Sequence, residues 1–189
     1  IFQDGSIKVR GIEARRHDTP PFIAETQMKI LEILAKAPDA DRLPEFLPEA
    51  RKYIGQRLDD LIKGRVPLEE LLVSQRLSRE LNEYSTPSPA ARAVWQMQAE
   101  GKQVRPGQRV RFLYTRGAPG VTAWYATEST DISMVDSSHY KTLLMRAIDT
   151  IISPIELHFG IMPHHSNYVL FPNKKAELVK GRGGNVPLA

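Results

Sequence analysis

The chain has 189 residues, a formal net charge of +4 and no cysteine. That length admits one sizeable domain or two small ones, and a chain of this size buries on the order of 70% of its unfolded surface. Without cysteine there are no disulfides, no thiolate zinc sites and no cysteine nucleophile, and no apolar run approaches the roughly 20 residues that span a bilayer. A cytoplasmic protein with no membrane partner is therefore expected. Ile1 stands first rather than Met, so the chain is read as a piece of a longer protein.

Residues 7–16 alternate Ile7, Val9, Ile12 and Ala14 around Gly11, which predicts a strand with a bulge or turn. Asp18-Thr19-Pro20-Pro21 signals the start of a helix, with Asp18 or Thr19 as cap. From Phe22 to Ala37 the apolar residues Ile23, Ile30, Leu31 and Leu34 recur at helical period. Pro38 to Asp41 breaks that helix. A second helix is expected from Leu47 to Lys63, stopped by Gly64, and a short one from Leu68 to Leu72. Leu71 to Leu77 reads as a strand or turn. Ser88-Pro89 opens a helix to Glu100, and Gly101 closes it. Gln108 to Thr115 alternates charged and apolar residues, as a half-exposed strand does, and Val121 to Ala126 gives another after a glycine loop. Asp136 and Ser137 cap a long helix that Pro154 kinks or ends, with a further turn to Phe159. Residues 171–189 are Lys/Gly-rich and are expected to form a basic flexible tail. Helices with a small antiparallel β-sheet make an α+β fold.

Several chemical motifs have ordinary explanations. Asp39-x-Asp41 sits in a proline-bounded loop without a third ligand, and Asp59-Asp60 point to different sides of a helix surface. His158 and His164-His165 form no spaced ligand set. No nucleophile elbow, Walker loop or dinucleotide fingerprint is present. The stronger signal is charge. Residues 74–116 carry eight Lys/Arg (Arg76, Arg79, Arg92, Lys102, Arg105, Arg109, Arg111, Arg116) against Glu80, Glu83 and Glu100, a net +5 where the whole chain has +4. Ser78 and Tyr84 add hydroxyl donors. Helix 88–100 begins with Ala90, Ala91, Ala93 and Val94, so its amino end admits close approach of a phosphate. Such a segment suits a polyanion bound by its backbone rather than by its bases.

The motifs in this chain resemble the C-terminal region of family B DNA polymerases, the end of the palm and the thumb. Arg10-Gly11-Ile12-Glu13-x-x-Arg16-His17-Asp18 is similar to the R-G-[LI]-E-x-x-R-R-D that closes the palm. Glu25-Thr26-Gln27-x-x-x-Leu31 resembles E-T-Q-x-x-V-L. Val66-Pro67-Leu68-Glu69-Glu70-Leu71 and then Leu77-Ser78-Arg79-x-Leu81 to Tyr84 resemble V-P-x-E-x-L and [IL]-[TS]-[RK]-x-L-x-x-Y. Pro89 and Gly101-Lys102-x-Val104-Arg105-Pro106-Gly107 follow the P-H-V-x-x-A helix and the G-x-K-V-R-P-G turn. Asp136 and Tyr140 resemble D-x-x-Y-Y. The matches run in order over about residues 8–160 and look most like the divergent archaeal branch. Three departures stand out: His17 for a second Arg, Ala90 for His, and Trp124 near a usual Arg.

The resemblance implies three regions: residues 1–18 at the end of the palm, 19–170 a mainly helical thumb, and 171–189 the tail. It implies a DNA-directed DNA polymerase whose palm carboxylates hold Mg²⁺. Those carboxylates are not in this chain, which needs no cofactor of its own and does no chemistry alone. Expected partners are primer-template duplex DNA and the rest of the polymerase chain (palm, fingers, exonuclease). Arg76, Ser78, Arg79, Tyr84, Arg92, Lys102 and Arg105 are the expected DNA contacts, and Arg10, Arg16 and Asp18 are assigned to the palm-thumb junction. The alternative is a non-catalytic DNA-binding or assembly protein derived from an inactivated polymerase.

Overall fold

Pro20 and Pro21 start the first helix, because a proline in the first turn gives up an N–H that has no helical partner there. In the computed structural model, which describes residues 11–125 and 132–164, helix α1 runs Pro21–Leu34. It is followed by α2 (Leu47–Ile62), β1 (Val73–Arg76), α3 (Pro89–Ala99), β2 (Arg109–Tyr114), β3 (Val121–Ala123) and α4 (Ser137–His158). The strands form one antiparallel sheet in the order β1-β2-β3. The fold is α+β, as expected.

Two layers of core result. In the first, α1, α2 and α4 close around Phe22, Ile30, Ile54, Leu61, Leu144 and Ile148, all essentially inaccessible to water. In the second, α3 lays Ala90, Ala91, Ala93 and Val94 on the sheet face that carries Val73, Val110, Phe112, Val121 and Ala123. The small side chains of α3 let the helix sit close to the sheet. Gln96 on the same helix closes the outer edge of β3: its Nε2 donates to the Val121 carbonyl at 2.7 Å and its Oε1 accepts the Ala123 N–H at 2.9 Å.

Tyr140 joins the layers. Its ring is fully buried; its hydroxyl donates to the Leu71 carbonyl at 2.8 Å and accepts the Tyr114 N–H at 2.9 Å. One phenol therefore ties α4 to the strand β2 and to the chain entering β1. Burial pushes that phenol far above the ordinary tyrosine range. Gln27 does similar work at the other end of the helical layer. Its Nε2 contacts Glu13, the Ala147 carbonyl and Thr150, and its Oε1 accepts the Ala14 N–H at 2.7 Å. Thr26 returns its hydroxyl to the Phe22 carbonyl, and Arg57 lies 4.3 Å from the centre of the Phe22 ring.

Several boundaries differ from expectation. Residues 11–16 are not a strand: Gly11 takes φ +79°, and Glu13–Arg15 form a 3-10 turn whose Ala14 amide Gln27 captures. Residues 7–10 lie outside the described residues. Neither Asp18 nor Thr19 caps α1, because Asp18 pairs with Arg16 and the Thr19 hydroxyl donates to the Glu13 carbonyl at 2.6 Å. Helix α1 stops at Leu34 and tightens into 3-10 bonds through Ala37. Helix α4 passes through Pro154 to His158. Asp59 and Asp60 converge on Arg65, which the chain swings back past Gly64 to meet both. The expected tail, 171–189, lies outside the described residues.

Near the end of α4, Glu156 is buried against Arg51 at 2.8 Å and His164 at 2.9 Å. Burial alone would raise its carboxyl, but hydrogen bonds from His164 and Arg51 outweigh burial and hold it below the ordinary glutamate range. A carboxylate lowered in the folded state stabilises above its unfolded value and loses that contribution as pH falls through the folded one. The Glu156→Gln variant is accordingly expected to unfold with a shallower loss of stability below about pH 4.5 than the parent, read as the difference between two urea-midpoint series against pH. For Tyr140→Phe, which leaves a buried N–H and a buried carbonyl without partners, a loss of about 2–4 kcal/mol is expected from urea unfolding. A loss under about 0.5 kcal/mol would remove the bridging role.

Candidate nucleic-acid interface

The basic segment folds back on itself. In the register of β1 with β2, Ser74 faces Arg111 and Arg76 faces Arg109. The ladder continues past Arg76: the Leu77 N–H donates to the Gln108 carbonyl at 2.9 Å and the Gly107 N–H donates to the Leu77 carbonyl at 2.7 Å. Gly107 takes φ +88°, which only glycine adopts without strain, and Gln108 Oε1 accepts the Arg105 N–H at 2.7 Å. The Arg105-Pro106-Gly107 turn is thus held beside Ser78. Ser78 and Tyr84 oxygens lie 2.9 Å apart, and the Ser78 N–H donates to the Tyr84 hydroxyl at 3.3 Å. The Ser78 hydrogen bond brings the Tyr84 phenol below its ordinary value. Ser88 caps α3 by accepting the Ala91 N–H at 3.2 Å. The amino end of α3 is therefore partly used by its own cap, and Pro89 has no N–H to offer.

An open groove of about 550 Å³ runs between the edge strand β1, the turn before α1 and the start of α3. Arg76, Ser78 and Tyr84 line it with Arg16, His17, Asp18, Ser88, Ala90 and Arg109. The structure thus brings three of the expected contacts together with two residues assigned to the junction. Arg16 and Asp18 form a two-pronged pair, Nε to Oδ1 at 3.0 Å and Nη2 to Oδ2 at 2.9 Å, and the Arg16 hydrogen bond lowers the Asp18 carboxyl. Both also line a smaller cleft of about 270 Å³ with Glu13, Tyr114 and Arg146, so the pair sits on the rim between two hollows.

Other expected contacts are placed elsewhere. Arg79 and Arg105 are exposed but do not line the groove. Arg92 is half-buried under the β2–β3 turn, where a Cβ added at Gly120 would meet its Nη1 at 3.4 Å. Lys102 lies 3.7 Å above the Tyr125 ring. Arg10 lies outside the described residues. Arg109 was not among the expected contacts, although the alternation of Arg109 and Arg111 with Val110 and Phe112 already put both arginines on one face.

Charge is divided unevenly between the two layers. The ion pairs of the helical layer tie Lys29 to Glu32, Lys36 to Glu49, Arg42 to Glu45, Arg57 to Glu70 and Arg65 to Asp59 and Asp60. None of the eight Lys/Arg of residues 74–116 is in an ion pair with a described acid. Arg76 and Arg109 stand directly opposite each other, an arrangement of like charges that costs stability. Among the described residues, the sheet end therefore carries positive charge that no ion pair offsets.

No metal site emerges. His158 is exposed and packs on Phe159, while His164 is buried between Asp149 and Glu156, which take opposite nitrogens of its ring. His165 lies outside the described residues. Among the described residues no group of three or more His, Cys, Asp or Glu is placed to hold a metal ion.

Comparison with known proteins gives the same direction throughout. The family model for DNA polymerase family B matches residues 2–155. A DNA polymerase of Thermococcus aggregans is 29% identical over 118 residues, covering 62% of this chain and 6% of that protein. A DNA polymerase of Pyrococcus glycovorans is 31% identical over 117 residues (62% and 14%), and DNA polymerase 2 of Aeropyrum pernix 31% over 115 residues (61% and 13%). The chain thus corresponds to a small part of the length of these relatives. The solved structure of the family B DNA polymerase from Pyrobaculum calidifontis shares the fold with a TM-score of 0.64 at 22% identity, over 80% of this chain and 19% of that one. With its motifs in order and the family model spanning most of its length, this chain belongs to family B of the DNA polymerases.

Proposed function

We propose that this chain is the thumb, with the end of the palm, of a family B DNA polymerase, and that it holds primer-template duplex through sequence-independent backbone contacts. The observation that carries the reading is the charge of residues 74–116: most cations of the helical layer are paired with acids, whereas none of the eight Lys/Arg of the sheet end and its turns is in an ion pair with a described acid, which leaves them open to an external anion. Short hydroxyl and guanidinium donors on an edge strand and turn suit phosphate and sugar, which are the same at every step along the duplex. Such contacts let a duplex slide between cycles of synthesis. The palm, fingers and exonuclease of the same polymerase would supply the chemistry and its Mg²⁺, and this chain would contribute position. A cytoplasmic setting fits that role.

The direct test is duplex binding by the chain over a salt series. The logarithm of affinity is expected to fall linearly with the logarithm of salt, at about −0.9 per phosphate contact; a flat response would sink the reading. Replacing Arg79 and Arg105 together by Ala is expected to weaken unrelated duplex sequences alike, by roughly 10-fold or more at low salt, because each removes a charged contact to the backbone. A loss confined to some sequences would point to base reading instead.

A further inference from the structure

We propose that the groove between β1, the turn before α1 and the start of α3 is a discrete site for one phosphate group, built around Arg76 and Arg109. This goes beyond a diffuse basic surface: one anion is seated at a defined place, and Arg109 is a binding residue there. Three observations converge. Arg76 and Arg109 are cross-strand partners that both line the groove, and neither is in an ion pair with a described acid. Their side chains are held within roughly 5 Å of each other at the Cβ atoms, so an anion between them relieves a repulsion that the sheet otherwise carries. The Ser78 and Tyr84 hydroxyls stand on the same wall, 2.9 Å apart. Two hydroxyls hold two protons and their mutual bond uses one, which leaves one O–H for a further acceptor at this wall, where Ser88 also stands. At Ala90 the wall carries only a methyl, which leaves room for a tetrahedral anion.

Arg16 is not part of the cradle's charge, because Asp18 already engages it through two hydrogen bonds. The two remaining arginines supply enough positive charge to neutralise one backbone phosphodiester and most of the charge of a free pyrophosphate. The shared chemistry is a phosphate group, and its source is either the DNA backbone or a free polyphosphate anion. The duplex source rests on the thumb reading; the free source does not.

The test uses the full chain, with inorganic pyrophosphate and a duplex as separate probes, and compares Arg109→Gln with Lys52→Gln. Lys52 is exposed on α2, away from the groove, and its replacement removes the same formal charge. Arg109→Gln is expected to weaken pyrophosphate about tenfold by calorimetry and to reduce the duplex salt slope by about one, while raising the unfolding temperature of the free chain. Lys52→Gln is expected to change none of these. Equal effects of the two variants would make the binding diffuse and overturn the site, as would a parent chain that does not bind pyrophosphate. Arg109-dependent pyrophosphate binding without duplex binding supports the site with a free anion as its source, and would count against the thumb reading alone.

Discussion

The two layers of this fold depend on a single phenol. Helices α1, α2 and α4 form one core and α3 with the sheet forms another, and the Tyr140 hydroxyl spans them by bonding a carbonyl before β1 and an amide of β2. A hydroxyl suits this place because it donates and accepts at once, so two backbone groups that would otherwise be buried alone are both satisfied. The neighbouring Tyr114 ring packs edge-on against Tyr140, with centroids 5.8 Å apart. The strand that carries Arg109 and Arg111 is therefore set by a residue on the far helix. The position of the basic face is a consequence of core packing.

Charge follows the same division. Most cations of the helical layer are in short-range pairs, most of them exposed and each worth little to stability. The sheet end keeps its arginines out of ion pairs with described acids and even opposes two of them. That opposition costs stability in the free chain, and the cost is offset when an anion arrives, as in the proposed phosphate site.

Much of this was legible in the sequence. Helical periodicity and the proline and glycine boundaries placed α1, α2 and α3 to within a few residues, and the period-two alternation of residues 108–115 found β2. The concentration of charge at residues 74–116 was visible by counting. What could not be read was which arginine reaches which surface. Arg92 and Arg76 look alike in sequence, yet one lies under a glycine turn and the other on an open edge. That difference is set by how α3 and the strands pack on one another, a long-range property. The Glu-Thr-Gln motif was visible as a likeness, but its role was not: Gln27 is spent on the backbone of α4 and of the turn before α1. The turn at residues 13–15 was misread as a strand because its alternation is real while its amide is claimed by a side chain far along the helix.

Gln96 has a meaning beyond the packing of α3. A sheet of three strands has two margins, and an unpaired margin invites another chain to add a strand. By presenting an amide oxygen and an amide nitrogen to β3, Gln96 imitates the hydrogen-bonding edge of a fourth strand with one side chain. Among the described residues, the backbone of β3 is thereby engaged on that side by a side chain. The opposite margin, β1, is left accessible, and it is the one that carries the arginine groove. Among the described residues, the border left open is one that a rod-like anion, such as the duplex proposed above, can meet without offering a strand in return.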